Sequence, residues 1–271
     1  GKKTEFRDNK CKIKGILHLD MFQFIRNIFG KNLKTDSYSL DAVSSELLQQ
    51  NKHKVNLNNL AHSWDNPTTE LKEYCEYNLH DAHLNLMLCK TLMPDMIEFC
   101  KIIGLPLFDL TRMKFSRLVE SYILKRAIEY NILAPNRPEH SEIDQRTMET
   151  FEGGFVYEPT PGLYSDIVVF DFKSLYPSII ISHNIGPESL HCECCQDSAK
   201  VPEQEEYWFC KKGKKFIPTI LGLLIEKRNE LKKKIKEAKA KKVDTQILEA
   251  QSYAIKTLAN SFYGYLGFFG A

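Results

Sequence analysis

The sequence lacks any long apolar run. Across 271 residues, no hydrophobic segment approaches the roughly 20 residues that span a bilayer. The start of the chain, GKKTEFRDNK, lacks the apolar core of a signal peptide. A hydrophobic content of 43% and a charged content of 27% are typical of soluble globular proteins. We therefore expect a protein that binds no membrane and stays in the cytoplasm, where it is made.

The sequence also has little net charge, +2 at neutral pH, but the charge is unevenly distributed. The segment 226–242, EKRNELKKKIKEAKAKK, carries nine Lys or Arg residues against three Glu. Such a basic face attracts polyanions, although a run of this kind also serves as the solvated exterior of a helix. Composition alone leaves both interpretations open.

The cysteines include no clean C-x-x-C pair. Four of them are predicted to be small buried hydrophobic residues: Cys11, Cys75, Cys89 and Cys100. The other four form a local group: Cys192, Cys194, Cys195 and Cys210. For this group we predict free thiols first, a disulfide second and a zinc site last. A disulfide would fit a hyperthermophilic source, where intracellular disulfides occur.

Hydrophobic periodicity predicts a mixed α and β chain, an α+β fold. A strand leading into a helix is predicted over 11–26, and helices over 37–50, over 68–93 with an end near Pro94, and over 115–133. A loop at about 134–145 is the best boundary candidate. Strands with turns follow over 153–172. Helices at about 220–242 and 246–261, joined by a turn near Val243 and Asp244, predict an αα-hairpin.

A carboxylate stands where the last predicted strand ends, in the stretch DFKSLYPSII that begins with Asp171. Mg²⁺ prefers hard oxygen ligands and is held by one or two carboxylates plus substrate phosphates. The backbone amides of Ser174, Leu175 and Tyr176, in a turn before Pro177, could bind a phosphate chain. The alternative is an ordinary aspartate that caps a turn.

The downstream stretch KTLANSFYG predicts a polar helical face. Lys256, Asn260 and Tyr263 share one side of the second hairpin helix because of their spacing. Arg228 and Lys232 lie four residues apart on the first helix. Folding of the hairpin would bring three cations together, where a triphosphate needs them.

These motifs together resemble those of family B DNA polymerases, over essentially the whole chain. DFKSLYPSII resembles the first palm motif, KTLANSFYG the fingers motif, and FIPTILGLLIEKRNELKKKIK the leading fingers helix. FEGGFVYEPTPGL is similar to the Y-x-G-G segment, with Phe151 in place of the usual tyrosine, and YNLHD fits the third exonuclease motif. The motifs occur in the family's order, and SHNIGPESL suggests an archaeal-type source.

The resemblance implies a polymerase site that uses two Mg²⁺ ions, with Mn²⁺ as a substitute. Asp171 would bind both ions and the Phe172 carbonyl one of them. Ser174, Leu175 and Tyr176 would hold the triphosphate, and Tyr176 would also stack under the sugar. The remaining nucleotide-binding residues would be Arg228, Lys232, Lys256, Asn260 and, along the nascent base pair, Tyr263. Asp171, Tyr176 and Lys256 would be catalytic.

The resemblance also implies a proofreading site and a DNA contact. Asp81 would bind a metal ion, and Tyr77, on the same helical face, would orient the attacking water. Gly153 and Gly154 would let the backbone approach the template strand. The D-x-E and N-x-x-x-F/Y-D motifs of the exonuclease and the D-T-D-S palm motif are not found, and Asp20 is assigned no role.

We therefore expect an internal fragment, or one piece of a split enzyme, that is inactive alone. Residues 1–105 would be the C-terminal part of a ribonuclease-H-like exonuclease domain, 106–150 a helical connection, 151–215 part of the palm sheet and 216–271 the fingers hairpin. Expected partners are primer–template DNA, a dNTP, a sliding clamp and a complementary polymerase fragment, in a nucleoid-associated setting. The alternatives are a non-catalytic nucleic-acid-binding module and an inactivated polymerase relative.

Overall fold

The computed structural model describes residues 4–7, 10–53, 55–66, 69–148, 154–196 and 200–267. The described part is rich in helix and contains two small antiparallel sheets, each of two strands. It divides into two compact units. The first holds the chain up to Tyr122 together with Lys233–Ala254, and the second holds Ile123–Lys232 together with the chain from Ile255 onward.

The first unit begins with a β-hairpin and continues mainly as helices. Its elements are β1 (Thr4–Arg7), β2 (Lys10–Ile13), α1 (Met21–Phe24), which continues as a π-helical turn (Ile25–Phe29) and a 3-10 turn (Gly30–Asn32), α2 (Leu40–Leu48), α3 (Leu60–Asp65), α4 (Thr69–Ile103), α5 (Leu107–Leu110) and the first half of α6 (Phe115–Glu129). Ser39 caps α2, where its hydroxyl accepts a hydrogen bond from the Ala42 N–H at 3.3 Å.

Helix α4 provides much of the first unit's core. Leu84, Leu88, Leu92 and Met96 recur at four-residue spacing and are all buried. The predicted end of this helix near Pro94 is wrong, since the helix runs on to Ile103. A proline removes one backbone donor and bends a helix, and burial of the residues on both sides holds the two halves together.

The predicted burial of single cysteines is wrong for Cys75, which is exposed on α4. Cys75 immediately follows the buried Tyr74, so it faces about 100° away from the apolar stripe of this helix. Cys89 and Cys100 are partly buried, and the side chain of Cys11 lies outside the described residues.

The second unit combines helices with a short β-hairpin. Its elements are the second half of α6, α7 (His140–Met148), α8 (Leu175–Ser182), β3 (Lys200–Val201) and β4 (Gln204–Trp208). It also holds α9 (Phe216–Ala240) up to Lys232 and α10 (Gln246–Leu266) from Ile255 onward. The predicted αα-hairpin is confirmed, with α9 and α10 joined by a turn at 241–245. In the first unit, Lys239 and Glu249 pair across this hairpin at 2.7 Å.

The prediction of strands over 153–172 is wrong for residues 154–172, which form no strand. A strand needs a hydrogen-bonded neighbour, and the only paired strands in the described part of the chain are β1 with β2 and β3 with β4. The apolar run IVVF is correspondingly exposed, with Val169 at 86% and Phe170 at 91%. Its composition indicates a strand, but the described residues include no partner for it.

The predicted loop at 134–145 is only partly a loop, because α7 begins at His140. The compact units also divide elsewhere, between Tyr122 and Ile123 within α6, rather than at this loop. A continuous helix can cross between two compact units, so a change of composition does not fix where a unit ends. Among the described helices, none is both long and apolar enough to cross a membrane.

Candidate functional site

Helix α8 begins immediately after the Asp171 segment. Ser174 caps it in the left-handed region, at φ 53° and ψ 54°, and the Ser174 carbonyl accepts a hydrogen bond from the Ser178 N–H at 2.9 Å. Leu175 and Tyr176 form the first turn, where N–H groups have no partner within the helix. The amides predicted to lie in a turn before Pro177 are thus a helix N-terminus, which attracts anions.

A cavity of about 600 Å³ adjoins this helix start. Its size is within the range of small-molecule sites. Residues 171–177 line it, together with four polar side chains from the two hairpin helices: Arg228, Lys232, Lys256 and Asn260. The structure thereby brings together every residue predicted for nucleotide binding except Tyr263.

The predicted polar face of α10 is confirmed. Lys256, Asn260 and Tyr263 are exposed, whereas the opposite face of the helix is buried through Leu258 and Phe262. The apolar stripe packs into the protein and leaves the polar residues facing the cavity side. Periodicity in the sequence is sufficient to predict this division.

Arg228 reaches the start of α8. Its Nη1 donates to the Ser174 hydroxyl at 3.4 Å, while its Nε is buried with no hydrogen-bond partner among the described residues. Burial lowers the pKa of the Arg228 guanidinium. A buried donor without an acceptor is unfavourable, so an anionic ligand would stabilise this side chain.

Cations crowd the same cavity. The pKa of Lys232 is lowered first by the charge of Arg228, then by desolvation and by the charges of Lys173 and Lys256. Sequence reasoning missed Lys173, although it stands two residues after Asp171 in the same motif. Mutual repulsion of this kind favours binding of a highly charged anion.

Tyr263 joins the site through Tyr176 rather than by lining the cavity. The two rings stack with centroids 4.0 Å apart and an angle of 11° between their planes. Both side chains remain about half exposed, at 47% and 48%. An aromatic pair at the rim offers flat surfaces that could contact a sugar or a base.

Asp171 is the only carboxylate among the lining residues of this cavity. Its exposed side chain and the neighbouring Phe172 carbonyl are hard oxygen donors, the type that Mg²⁺ prefers. One carboxylate beside a cluster of cations fits a metal ion shared with an anionic ligand. A second ion would need at least one further carboxylate.

Tyr77 and Asp81 meet around a lysine in the first unit. Lys52 Nζ lies 2.7 Å from Asp81 Oδ2 and 4.6 Å from the centre of the Tyr77 ring. Hydrogen bonds to Asp81 and Tyr77 raise the pKa of Lys52. The other Asp81 oxygen, Oδ1, is buried and has no hydrogen-bond partner within the described parts of the chain. The predicted shared face is confirmed, and in this structure Lys52 occupies it.

The glycine pair lies at the edge of the described residues. Gly154 is exposed, and a side chain there would meet no other atom within 4 Å. Gly153 and Phe151 lie outside the described residues. The role predicted for the pair therefore stays a prediction.

A family model for DNA polymerase family B matches residues 109–270, which is more than half of the chain. This match includes the Asp171 segment and both hairpin helices. The chain belongs to DNA polymerase family B. The resemblance to this family that the sequence motifs indicate is therefore confirmed.

Two curated relatives of this family B chain are archaeal DNA polymerases. It is 39% identical over 257 residues to DNA polymerase 1 of Pyrococcus abyssi and 39% identical over 258 residues to a DNA polymerase of Thermococcus gorgonarius. Each alignment covers 95% of this chain but 32% of the relative. The chain thus spans about a third of the length of these relatives.

A solved structure supports the same assignment. The family B DNA polymerase of the hyperthermophilic archaeon Pyrobaculum calidifontis aligns with a TM-score of 0.72 and 26% identity. The alignment covers 99% of this chain and 35% of that one. The helix-rich mixed fold therefore matches part of a family B polymerase.

Proposed function

We propose that this chain provides the nucleotide-binding part of a template-directed DNA polymerase, which transfers a nucleotide from a dNTP to a primer 3′-hydroxyl. The cavity at the start of α8 supports this proposal more than any other observation. It combines a carboxylate, a helix N-terminus and cations from two helices. A core-packing role would not require this combination of groups.

The cationic residues bind the triphosphate in this proposal. Arg228 forks onto phosphate oxygens through donors that include its unpaired Nε, while Lys232 and Lys256 act as point charges. Asn260 donates from its side-chain amide, and the first-turn amides of α8 complete the phosphate contacts. Lys256, close to the transferred group, also neutralises charge that develops as the phosphoryl bond breaks.

Asp171 and the Phe172 carbonyl hold Mg²⁺, with Mn²⁺ as a substitute. When bound, two such ions would activate the primer hydroxyl and stabilise the leaving pyrophosphate. Asp171 fixes where the metal-bound phosphates lie relative to Arg228 and Lys256. The second carboxylate would come from a part of the polymerase beyond the residues described.

Tyr176 and Tyr263 position the nucleoside. Tyr176 packs under the sugar and disfavours a 2′-hydroxyl, and Tyr263 lies along the nascent base pair. Since the rings stack on each other in this structure, they must separate or slide for a sugar to contact Tyr176. The cost is modest, because an aromatic pair contributes about 0.5–1.5 kcal/mol beyond its area burial.

Proofreading and DNA contacts are proposed for other parts of the chain. Asp81 binds a metal ion of a 3′–5′ exonuclease and Tyr77 orients its water, which requires Lys52 to leave Asp81. Gly153 and Gly154 contact the template strand. The same proposal includes the division into an exonuclease part, a helical connection, part of the palm and the fingers hairpin. Its partners are primer–template DNA, a sliding clamp and a complementary polymerase fragment.

Nucleotide binding by the chain tests the cavity directly. We expect Lys232→Ala to weaken binding of Mg²⁺–dATP by about tenfold, since charged hydrogen bonds contribute about 1.5–3 kcal/mol. Lys233→Ala is the matched control, because it removes the same charge from the next residue of α9 outside the cavity lining. Isothermal titration calorimetry measures both. Equal losses in the two variants would show non-specific attraction and reject the site.

Asp171→Ala separates catalysis from mere DNA binding. In the complete polymerase we expect the variant to lose nucleotide incorporation and to retain affinity for primer–template DNA. A non-catalytic nucleic-acid-binding module would show no incorporation in the unaltered protein either. Incorporation that survives the substitution would exclude the metal role of Asp171.

A further inference from the structure

Four cysteine side chains converge between α8 and α9. The Sγ atoms of Cys192, Cys194, Cys195 and Cys210 all lie within 4.8 Å of one another. The Cys194 sulfur is 3.6 Å from that of Cys195 and 3.7 Å from that of Cys210. None of the four forms a disulfide in this structure. The sequence-based order of preference, with metal last, did not anticipate this convergence.

The sulfur separations suit a tetrahedral metal site better than a disulfide. A disulfide requires its two sulfurs at about 2.05 Å. Four thiolates at a Zn–S distance of about 2.3 Å stand roughly 3.8 Å apart along each edge of the tetrahedron. The sequence spacing is also compatible with a metal site, because Cys192 and Cys195 form a C-x-x-C pair with a third cysteine inside it.

Backbone pairing holds the two arms of the cluster in place. The His191 N–H donates to the Trp208 carbonyl at 3.0 Å, and the Cys210 N–H donates to the Ser189 carbonyl at 2.8 Å. The Trp208 indole N–H donates to the Cys192 carbonyl at 2.7 Å. The ligands from both arms are thus positioned by contacts that do not depend on a metal.

The surroundings fit a closed metal site with positive charge beside it. Cys195 and Cys210 are buried, with Trp208 packed against them. The Lys211 backbone N–H also hydrogen-bonds to Cys195. Next along the chain, the segment 211–215, KKGKK, supplies positive charge that would offset a tetrathiolate site.

We propose that Cys192, Cys194, Cys195 and Cys210 bind one Zn²⁺ ion in a closed, structural site. As each Zn–S bond forms, the thiol proton passes to water, so that four thiolates surround the ion with no open position. The site is non-catalytic and independent of the nucleotide site proposed above.

The cluster lies where it can stabilise the connection between two functional helices. The Asn184 side chain donates to the Cys210 carbonyl at 2.6 Å and to the Gly213 carbonyl at 3.0 Å. It also accepts from the Lys215 N–H at 2.9 Å, just before α9. Bound zinc would therefore order the segment that joins α8 to α9 and rigidify its backbone.

Metal titration of the reduced chain tests the proposal. We expect one Zn²⁺ per chain by elemental analysis, and ligand-field absorption of a tetrahedral thiolate site when Co²⁺ replaces Zn²⁺. Cys195→Ser should lose both signals, whereas Cys75→Ser, which removes an exposed cysteine outside the cluster, should keep them. Circular dichroism shows whether each variant folds.

The unaltered chain supplies a test that does not depend on any variant folding. Adding Zn²⁺ to the metal-free, reduced chain should raise its thermal unfolding temperature and protect four thiols from a thiol reagent until a chelator is added. Absence of stoichiometric Zn²⁺ binding would overturn the proposal. So would a disulfide that forms in air from these cysteines in the presence of Zn²⁺.

Discussion

At the residue scale, Asp95 carries an energetic cost that its sequence context does not reveal. Desolvation on α4 raises its pKa from 3.8 to about 6. The carboxylate is therefore harder to ionise in the folded chain than in the unfolded one. The resulting penalty is absent below pH 3.8, grows as the pH rises between these two values, and is fully present above about pH 6.

Asp95→Asn should remove this penalty. We expect the variant to be more stable than the unaltered chain at pH 7, by about 1–3 kcal/mol, since each pKa unit corresponds to about 1.4 kcal/mol. Urea unfolding at pH 7 and pH 4 measures the difference, which should shrink at the lower pH. Asp65→Asn, at an exposed position, is the control and should change little. Equal stabilisation at both pH values would contradict the desolvation argument.

At the element scale, α9 is a long helix with a glycine in its interior. A Cβ at Gly222 would meet no atom within 4 Å outside the helix's own backbone. Glycine at such a position costs conformational entropy and gains nothing from packing. Gly30 differs, because a Cβ there would lie 2.6 Å from the Tyr38 ring and 3.0 Å from the Ile25 carbonyl oxygen.

Gly222→Ala should stabilise the chain by about 0.5–1 kcal/mol. Gly30→Ala makes the same chemical change at a crowded site and should destabilise it. Thermal unfolding of both variants beside the unaltered chain measures the opposite shifts. A destabilised Gly222→Ala would mean that an unseen neighbour contacts this face of α9.

The elements that could be predicted are those that local interactions determine. Helices α2, α9 and α10 follow from apolar spacing and capping, because local burial and local hydrogen bonds determine them. The continuation of α4 through Pro94 could not be predicted, since it depends on residues packed on both sides of the proline. Residues 167–170 have the composition of a strand but form none, because a strand also needs a partner strand. No local pattern reveals whether such a partner is present.

At the scale of the whole molecule, the chain covers about a third of its curated relatives and exposes a long apolar segment. Leu163, Val169, Phe170 and Phe172 are each more than two-thirds exposed. Exposed apolar surface of this extent marks an interaction site or an aggregation liability.

The cavity at the start of α8 contains one carboxylate among its described lining residues, whereas the proposed two-metal transfer needs at least two.

The isolated chain should therefore bind nucleotide without extending a primer. Primer extension with Mg²⁺ and all four dNTPs is expected to give no product above background, because the second carboxylate is missing from the described site. A complete relative such as the Pyrococcus abyssi polymerase is the positive control. Robust synthesis by this chain alone would refute the requirement for a second carboxylate.

The sequence by itself determined the family, the helical hairpin and most of the residues that line the cavity at the start of α8, because short motifs and helical spacing encode them locally. Only the tertiary structure decided that Lys173 joins the cations, that Lys52 pairs with Asp81 and that four cysteines converge. Each of these contacts joins side chains whose meeting depends on how the chain folds back on itself. Composition and spacing constrain which groups are present, whereas the path of the backbone decides which of them meet.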